Sequence, residues 1–434
     1  MPGWHAATRE LQQAGRLTLL GIVLEQHPER ARLFMQWQQL PWRLLHDPFN
    51  LLALPYVPLT LAIDEWGVIR VAQPQLARAD EWIERFVRAE WTAPQTVPNF
   101  RTQMPDLAAL RSDAEARGDD AAAWAKLGVQ LTLWRGEAVL GEALAAGERA
   151  LAAPAGQTGP THFQQGVVYR MRHDSAKAEE GDFQRAVQHW SAALQQEPNN
   201  YIWRRRIQQY GPRLAKPYSF YDWLPQARRE ISERGEVPLP LAVEPGGAEF
   251  AYPAEEFTSS NGYADDMEED AARAPVPDSA AGTEEAARIH RDEGLVRTQL
   301  IAVPPSVLPG ESLRLHFLFQ LRDEAHWNNE AEPLALVLED APPGWQWASR
   351  RLWSERPAEP TSAEERHLEV ELQAAAEALP GPITLRGFAL YYVCEAASGV
   401  CLYRRQDFCV EVEVMSAAGE RLKDPGPPRP GTRD

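Results

Sequence analysis

Apolar residues near the amino terminus recur every three or four positions, which predicts an amphipathic helix that ends at Gly15. The apolar face of that helix would carry Trp4, Ala7, Thr8 and Leu11. Residues 17–24 form a run that is too short and too uniformly apolar for a surface helix. This run predicts a strand covered on both faces, and a second helix should follow from Pro28 to about Trp37.

The next segment predicts a turn at residues 46–48 and a short apolar helix near Leu51. A strand over residues 56–63, a turn at residues 65–67 and a strand over residues 68–70 should come next. A final helix is predicted at residues 82–91 because its apolar residues follow the helical period. These apolar residues are Trp82, Ile83, Phe86 and Val87.

This order of elements resembles the carboxy-terminal three quarters of a thioredoxin-like domain of the membrane-anchored or peroxiredoxin-related type. Pro58 matches the family's cis-proline. The resemblance implies that Pro58 places a backbone edge without an N–H beside a reactive cysteine pair. The alternative is an ordinary proline at the start of a strand. Residues 1–93 are expected to be a thioredoxin-like domain that lacks its first strand and Cys-x-x-Cys motif.

Pro2 resembles the family's proline that follows the second cysteine by a few residues, so the resemblance places the reactive motif upstream of Met1. Three explanations are open: a start codon assigned too late, an upstream UGA codon that encodes selenocysteine, or a degenerate domain. A truncated reading frame is favoured, because a domain without an internal strand would expose a sheet edge.

Residues 106–235 are rich in Ala, Leu, Gln and Arg and predict consecutive helices. One stretch resembles the turn and second helix of a tetratricopeptide repeat, namely Gly181, Asp182, Phe183, Ala186, Trp190, Ala193 and Pro198. An earlier and weaker copy is indicated by Trp124, Gly128 and Gly136. The resemblance implies a surface that binds a redox protein partner or protein substrate. The alternative is an irregular helical linker domain.

Charge excludes some classes of partner and indicates a linker. The formal net charge of −18 disfavours nucleic acid and anionic membranes, and no apolar run approaches the roughly 20 residues that span a bilayer.

Residues 245–290 are acidic and poor in apolar residues, which predicts a disordered linker rather than a calcium loop. Residues 417–434 should form a disordered tail. Any signal or anchor upstream of Met1 would decide between the cell envelope and the cytoplasm.

The hydrophobic period becomes two after the linker, which predicts strands. The alternating apolar positions are Leu313, Leu315, Phe317, Phe319, Leu321, Leu368, Val370, Leu372, Phe408, Val410, Val412 and Val414. Pro-Gly turns separate these strands at the intervals of a β-sandwich. Residues 294–416 should therefore be immunoglobulin-like. The predicted fold is multidomain: a truncated α/β thioredoxin-like domain, tetratricopeptide-like helical repeats and an immunoglobulin-like β-sandwich.

Cys394 and Cys401 bracket a short turn between two of these strands, close enough for a disulfide. The hairpin resembles that of the amino-terminal periplasmic domain of the bacterial transmembrane thiol:disulfide interchange reductase, with one extra residue between the cysteines. The resemblance implies that Cys394 and Cys401 exchange electrons. A structural disulfide and two unpaired thiols are the alternatives. Arg404 and Arg405 are candidates to lower the thiol pKa, and Cys409 is expected to be a bystander.

These features predict a thiol:disulfide oxidoreductase, with Cys394, Cys401 and Pro58 as its catalytic residues. Electrons would pass between the thioredoxin-like site and the tethered cysteine pair. The alternative is a non-enzymatic scaffold that binds a protein through its repeats. The sequence has no phosphate loop, nucleophile elbow or paired-histidine zinc motif, so no cofactor and no metal site are predicted. Residues 326–329 are predicted to form a polar and aromatic loop.

Overall fold

A computed structural model describes residues 2–54, 57–72, 74, 79–95, 104–197, 200–212, 223–243, 289–292, 294–322, 325–395 and 400–416. The chain divides into two compact units. Unit 1 contains Met1–Ala178, Ala192–Arg206 and Phe220–Glu244, and unit 2 contains Glu179–Ser191, Ile207–Ser219 and Pro245–Asp434. The predicted acidic linker up to residue 288 and the predicted tail lie outside the described residues.

Helices and sheets both occur, as the predicted multidomain protein requires. The helices are α1 (Pro2–Gln13), α2 (Glu29–Trp37), α3 (Ala79–Arg88), α4 (Leu107–Ala116), α5 (Ala121–Arg135), α6 (Leu140–Ala152), α7 (Gly159–His173), α8 (Asp182–Gln196), α9 (Tyr201–Gln208) and α10 (Trp223–Glu233). The strands of unit 1 are β1 (Leu20–Val23), β2 (Arg43–His46), β3 (Leu61–Ile63) and β4 (Ile69–Ala72).

The strands of unit 2 form two larger sheets. They are β5 (Val296–Val303), β6 (Ser306–Val307), β7 (Ser312–Leu321), β8 (Ala325–Asn328), β9 (Ala335–Leu338), β10 (Gln346–Trp347), β11 (Arg351–Trp353), β12 (Thr361–Ser362), β13 (Arg366–Gln373), β14 (Gly381–Glu395) and β15 (Cys401–Val414). Among the described residues, no helix is long and apolar enough to cross a membrane.

The first part of unit 1 contains two small sheets. β1 pairs with β2 in parallel, and β3 pairs with β4 in an antiparallel hairpin. The hairpin turn is held by Asp64, whose carboxylate accepts the backbone N–H groups of Trp66 and Val68 at 2.9 Å and the Arg70 side chain at 2.6 Å. The predicted strand, turn and strand are therefore present, although β3 begins at Leu61.

Two expectations for this region are wrong. The strand at residues 17–24 is not covered on both faces, because Leu20 and Ile22 expose 55% and 44% of their surface. The predicted helix near Leu51 is a turn. The Asp47 carboxylate accepts the Leu51 N–H at 2.7 Å, and the Asn50 side chain bonds to Leu54. These local bonds satisfy the backbone in a turn, where Asp and Asn are favoured.

The helices from α4 to α7 pack on their neighbours in chain order. Small residues lie where these helices cross: a Cβ on Gly128 would be 3.0 Å from the Ala143 carbonyl oxygen. The side chains of Asp106 and Asp120 cap the amino termini of α4 and α5. In α8, Phe183, Ala186, Trp190 and Ala193 are buried. Helix formation across residues 106–235 is thus confirmed wherever the chain is described.

Unit 1 joins its α/β part to its helical part. α10 packs on α2, where the rings of Trp37 and Trp223 stack 5.7 Å apart. The guanidinium of Arg206, on α9, is buried and donates to the Gln26 side chain at 2.7 Å and to the Pro48 carbonyl oxygen at 2.8 Å. Satisfying a buried cation in this way requires all of these segments to be in place.

Unit 2 is built on two sheets that share one core. One sheet has the strand order β10-β13-β7-β5, and the other has the order β11-β9-β14-β15-β6 with β8 beside β14 and β12 beside β8. Leu315, Phe317 and Val370 from the first sheet lie in one apolar cluster with Tyr391 and Val412 from the second. The predicted alternation is confirmed at these strands.

Residues 326–329 are not a loop. Residues 325–328 form β8, which pairs with both β14 and β12. Trp327 is fully buried, and its indole N–H donates to the Glu364 carbonyl oxygen at 2.8 Å. The polar residues of this segment bond to neighbouring strands, as Asn329 does to Ser362 at 2.9 Å. The polar composition of residues 326–329 is therefore typical of a loop, but the backbone at residues 325–328 is extended and Trp327 belongs to the core.

We expect Leu315→Ala to lower the free energy of unfolding of unit 2 by about 2–5 kcal/mol, because this core leucine is 1% exposed and its truncation would leave a cavity. The matched control is Leu379→Ala, since Leu379 is 81% exposed; it should change that free energy by less than about 0.5 kcal/mol. Urea denaturation measures both values. Equal effects of the two substitutions would contradict the burial assigned to Leu315.

Candidate functional site

The hairpin of β14 and β15 carries the predicted cysteine pair. Its strands pair in antiparallel register from Gly381 opposite Val414 to Cys394 opposite Cys401. The two cysteines form a disulfide, with Cα atoms 3.9 Å apart. The predicted disulfide is confirmed, and the alternative of two unpaired thiols is wrong. Residues 396–399 of the connecting turn lie outside the described residues.

The two halves of the disulfide differ in exposure. Cys394 is 1% exposed, whereas Cys401 is an exposed residue. Next to them on the same face, the rings of Tyr392 and Tyr403 stack 4.3 Å apart. Of the two residues, Cys401 is therefore the one that solvent reaches.

His326 is the nearest histidine in the strand register. β8 pairs with β14 so that His326 lies opposite Cys394. Directly opposed residues of an antiparallel pair share one face of the sheet, with Cβ atoms about 4.5–5.5 Å apart. Because His326 is only partly buried, its imidazole has access to both water and the disulfide face. The polar composition of residues 326–329 predicted a loop and so did not predict this register position.

The two arginines of β15 that were candidates to lower the thiol pKa lie on opposite faces of the sheet. Arg404 lies opposite Tyr391 in the register, so it belongs to the other face of the sheet. Arg405 shares the disulfide face, but its guanidinium donates to Asp407 at 2.6 and 2.9 Å and lies 3.9 Å from the centre of the Phe388 ring. Its charge is therefore directed along the strand, away from the cysteines.

Tyr391 anchors the hairpin on the opposite face of the sheet. Its hydroxyl donates to the Asp292 carboxylate at 2.8 Å, and the same carboxylate accepts the backbone N–H groups of residues 294–296. Burial, together with the charge of Asp292, raises the pKa of Tyr391 above its usual range. The phenol thus remains a hydrogen-bond donor and holds the strand beneath Cys394.

The other predicted positions are Pro58 and Cys409. The Val57–Pro58 peptide bond is cis, so the predicted geometry is confirmed. Pro58 belongs to unit 1, and the cysteine pair belongs to unit 2; the catalytic role of Pro58 stays a prediction. Cys409 is exposed and lies on β15, where its register partner is Arg386. It has a free thiol eight positions from Cys401.

A second group of chemically capable side chains lies on the first sheet of unit 2. His316, His367 and Glu369 bring three possible metal-ligand atoms within 4.8 Å of one another. The sequence pattern did not predict this group, because His316 lies 51 positions before His367 and meets it only through the pairing of β7 with β13. The sequence signal for this group was the set of polar residues that alternate with the apolar positions of β7 and β13, both of which were predicted as strands.

Comparisons with known proteins do not identify a family. No protein-family model matches the sequence, and no curated protein is similar to it. A protein of unknown function from Porphyromonas gingivalis W83 is 16% identical over 28% of this chain and 48% of that chain, with a TM-score of 0.18. This chain thus spans about half of that protein.

Two further solved structures show similarity of the same kind. AvmM, which catalyzes macrocyclization in alchivemycin A biosynthesis, is 11% identical over 30% of this chain and 96% of its own, with a TM-score of 0.19. A FixG-related protein from Vibrio parahaemolyticus is 8% identical over 26% of this chain and 94% of its own, with a TM-score of 0.14. TM-scores of this size do not establish a shared fold.

We expect iodoacetamide to label Cys409 in the native, unreduced protein and to leave Cys394 and Cys401 unlabelled, because those two form a disulfide. After reduction, Cys401 should react faster than Cys394, which is 1% exposed. Peptide mass spectrometry measures each rate, and Cys409→Ser should remove the label seen before reduction. Equal rates at Cys394 and Cys401 would contradict the difference in exposure.

Proposed function

We propose that this protein exchanges thiols and disulfides through Cys394 and Cys401. The observation that carries the proposal is the unequal exposure of the two sulfur-bearing residues at the end of a hairpin. One half of the disulfide is open to an attacking thiolate, and the other half is buried beside His326. A disulfide that serves only stability has no need of an exposed half or a neighbouring proton donor.

The exchange begins when a thiolate of a dithiol protein partner attacks the Cys401 Sγ atom. The bond between the two sulfur atoms breaks, a mixed disulfide forms at Cys401, and Cys394 leaves as a thiolate that takes up a proton. The partner's second thiolate then attacks the partner's sulfur atom that is bonded to Cys401. Cys401 leaves as a thiolate, which is also protonated. The hairpin gains two electrons and two protons, and the partner is oxidised to a disulfide. The reverse sequence oxidises the hairpin.

His326 would assist the step in which Cys394 leaves. A neighbouring imidazole can stabilise a thiolate or protonate it, and a leaving thiol of lower pKa departs faster. Because Cys394 is buried, its thiolate receives little stabilisation from water. His326 therefore supports catalysis as a positioning and proton-donating residue rather than as the nucleophile.

The proposal includes a thioredoxin-like fold for residues 1–93 and an immunoglobulin-like fold for unit 2. The order α1, β1, α2, β3, β4 and α3 in residues 1–93 is the order expected of a truncated thioredoxin-like domain, although β2 is an additional strand. The two-sheet core of unit 2 supports an immunoglobulin-like sandwich. On this proposal, a thioredoxin-like dithiol is the class of partner that exchanges electrons with the hairpin, and Pro58 marks the corresponding site in the thioredoxin-like region.

A scaffold is the second candidate function. It is favoured by the helices from α4 to α7, which pack in chain order with small residues at their crossings, as in a tetratricopeptide-like array. In this case a protein partner would bind the repeats, and the disulfide would be structural. The two functions differ in the reduction potential that they require of Cys394 and Cys401.

For an exchange site, we expect the Cys394–Cys401 pair to equilibrate with glutathione or a thioredoxin at about −270 to −200 mV, the range of exchange proteins. A structural disulfide would have a potential below about −300 mV. Differential alkylation of the native full-length chain in redox buffers measures the potential. A value in the lower range would overturn the exchange function and leave the scaffold.

Cysteine variants provide a matched test of the order of attack. We expect Cys394→Ser to accumulate a mixed disulfide at Cys401 with the disulfide form of a dithiol partner, because the exposed Cys401 thiolate can attack that disulfide and no Cys394 remains to resolve the adduct. Cys401→Ser should accumulate far less, since the remaining cysteine is buried. Non-reducing electrophoresis with peptide mapping measures both. More adduct at Cys394 than at Cys401 would show that the assignment of the attacked sulfur is wrong.

We expect His326→Gln to slow reduction of the disulfide by a dithiol several-fold, because the leaving Cys394 thiolate would lose its neighbouring imidazole. The rate of reduction of the native chain measures the effect. His162→Gln, in unit 1, is the control. An unchanged rate in the His326 variant would remove this residue from the mechanism.

A further inference from the structure

The outward face of the β10-β13-β7-β5 sheet carries a compact group of nitrogen and oxygen donors. In the register of β7 and β13, His316 lies opposite Glu369, and His367 lies opposite Leu318. The neighbouring residues in each strand, such as Phe317 and Leu368, point into the core. Alternation along both strands therefore places the two histidines and the glutamate together on the other face.

Three donor atoms converge at this point. The His316 Nδ1 atom lies 3.0 Å from His367 Nε2 and 3.3 Å from Glu369 Oε1, and the latter two atoms are 3.5 Å apart. Zinc binds nitrogen and oxygen ligands at about 2.0–2.2 Å, so tetrahedral ligands are separated by about 3.3 Å. The observed separations thus match three corners of a tetrahedron around one ion.

Contacts with surrounding residues orient the donor atoms of His316 and Glu369 toward each other and toward His367. His316 Nε2 lies 2.7 Å from the Tyr210 carbonyl oxygen, which can only accept a hydrogen bond, so Nε2 carries the proton. In the neutral ring, the lone pair of Nδ1 then faces His367 and Glu369. A backbone carbonyl bound to the second nitrogen is the usual outer partner of a metal-ligating histidine.

The glutamate is oriented in a similar way. Arg314, whose side chain is 1% exposed, donates to Glu369 Oε2 at 3.2 Å and to Glu371 Oε1 at 3.1 Å. Oε1 of Glu369 is the oxygen on the histidine side. Burial raises the pKa of Glu369, but the His316 hydrogen bond and the charges of His316, Arg314 and His367 lower it well below its usual range. The carboxylate is therefore ionised, as a metal ligand must be.

Burial leaves one side of the group open. The His316 side chain is 1% exposed and packs against the Phe183 ring at 5.4 Å, whereas the His367 side chain is 36% exposed. An ion can therefore enter from the His367 side, and water can occupy the fourth position. Two imidazoles and one carboxylate with a position left for water form a known donor set of zinc sites that are not closed.

We propose that His316, His367 and Glu369 bind one zinc ion on the outer face of this sheet. Imidazole and carboxylate ligands at tetrahedral separations favour zinc over magnesium or calcium, which prefer six or more oxygen ligands. This site is independent of the Cys394–Cys401 disulfide, so either proposal can fail without the other.

Equilibrium dialysis of the full-length chain against zinc ions tests the site. The disulfide is kept oxidised and Cys409 is alkylated, so that no thiol competes for the metal. We expect one zinc ion per chain, and a loss of affinity of at least about 10- to 100-fold in His367→Ala and in Glu369→Gln, since loss of an outer-shell partner alone has that effect. His290→Ala, an exposed histidine of the same unit, should bind like the unaltered chain.

The unaltered protein supplies a measurement that does not depend on the folding of a variant. Diethyl pyrocarbonate should modify His367 in the metal-free chain, and one equivalent of zinc should suppress that modification but not the modification of His290. Absence of zinc binding, binding that His367→Ala and Glu369→Gln leave unchanged, or unprotected His367 in the zinc-loaded chain would each overturn the proposal.

Discussion

The pairing of β14 with β15 is the constraint on which unit 2 depends. β14 is bonded to β15 along one edge and to β9 and β8 along the other, so its register sets the position of every strand in that sheet. A shift by one residue would turn Tyr391 and Val393 out of the core and would separate Cys394 from Cys401. Gly387 helps to hold this register, because a Cβ at that position would collide with the Val337 carbonyl oxygen and the Phe408 ring.

Both sheets of unit 2 carry polar side chains on the faces that point away from their common core. The first faces meet in one core of leucine, valine and aromatic side chains. On the second face of one sheet lie the disulfide, the register position of His326 and a small apolar cluster, and on the second face of the other lie His316, His367 and Glu369. Strand alternation places these polar groups outside the main core, where they are available for hydrogen bonds, ion pairs or ligands.

Prediction from sequence succeeded where neighbouring residues decide the outcome. The period of two predicted the core positions of β7 and β13, and the short spacing between Cys394 and Cys401 predicted their disulfide. Prediction from sequence failed where contacts between residues distant in sequence determine the local structure. Residues 325–328 have the polarity of a loop, but pairing with β12 and β14 makes them a strand. Leu20 and Ile22 have the composition of a buried strand, but they lie on a face of β1 that the described part of the chain leaves exposed.

The sequence by itself determined most of the helices and strands, the alternation that builds the β core, the acidic charge and the pairing of two nearby cysteines. These features depend on residues a few positions apart, whose relative placement follows from helical or extended backbone geometry. The tertiary structure alone decided which half of the disulfide is exposed and which residues surround His316. Those outcomes depend on the register between strands that are distant in sequence, because pairing, rather than composition, decides which side chains share a face.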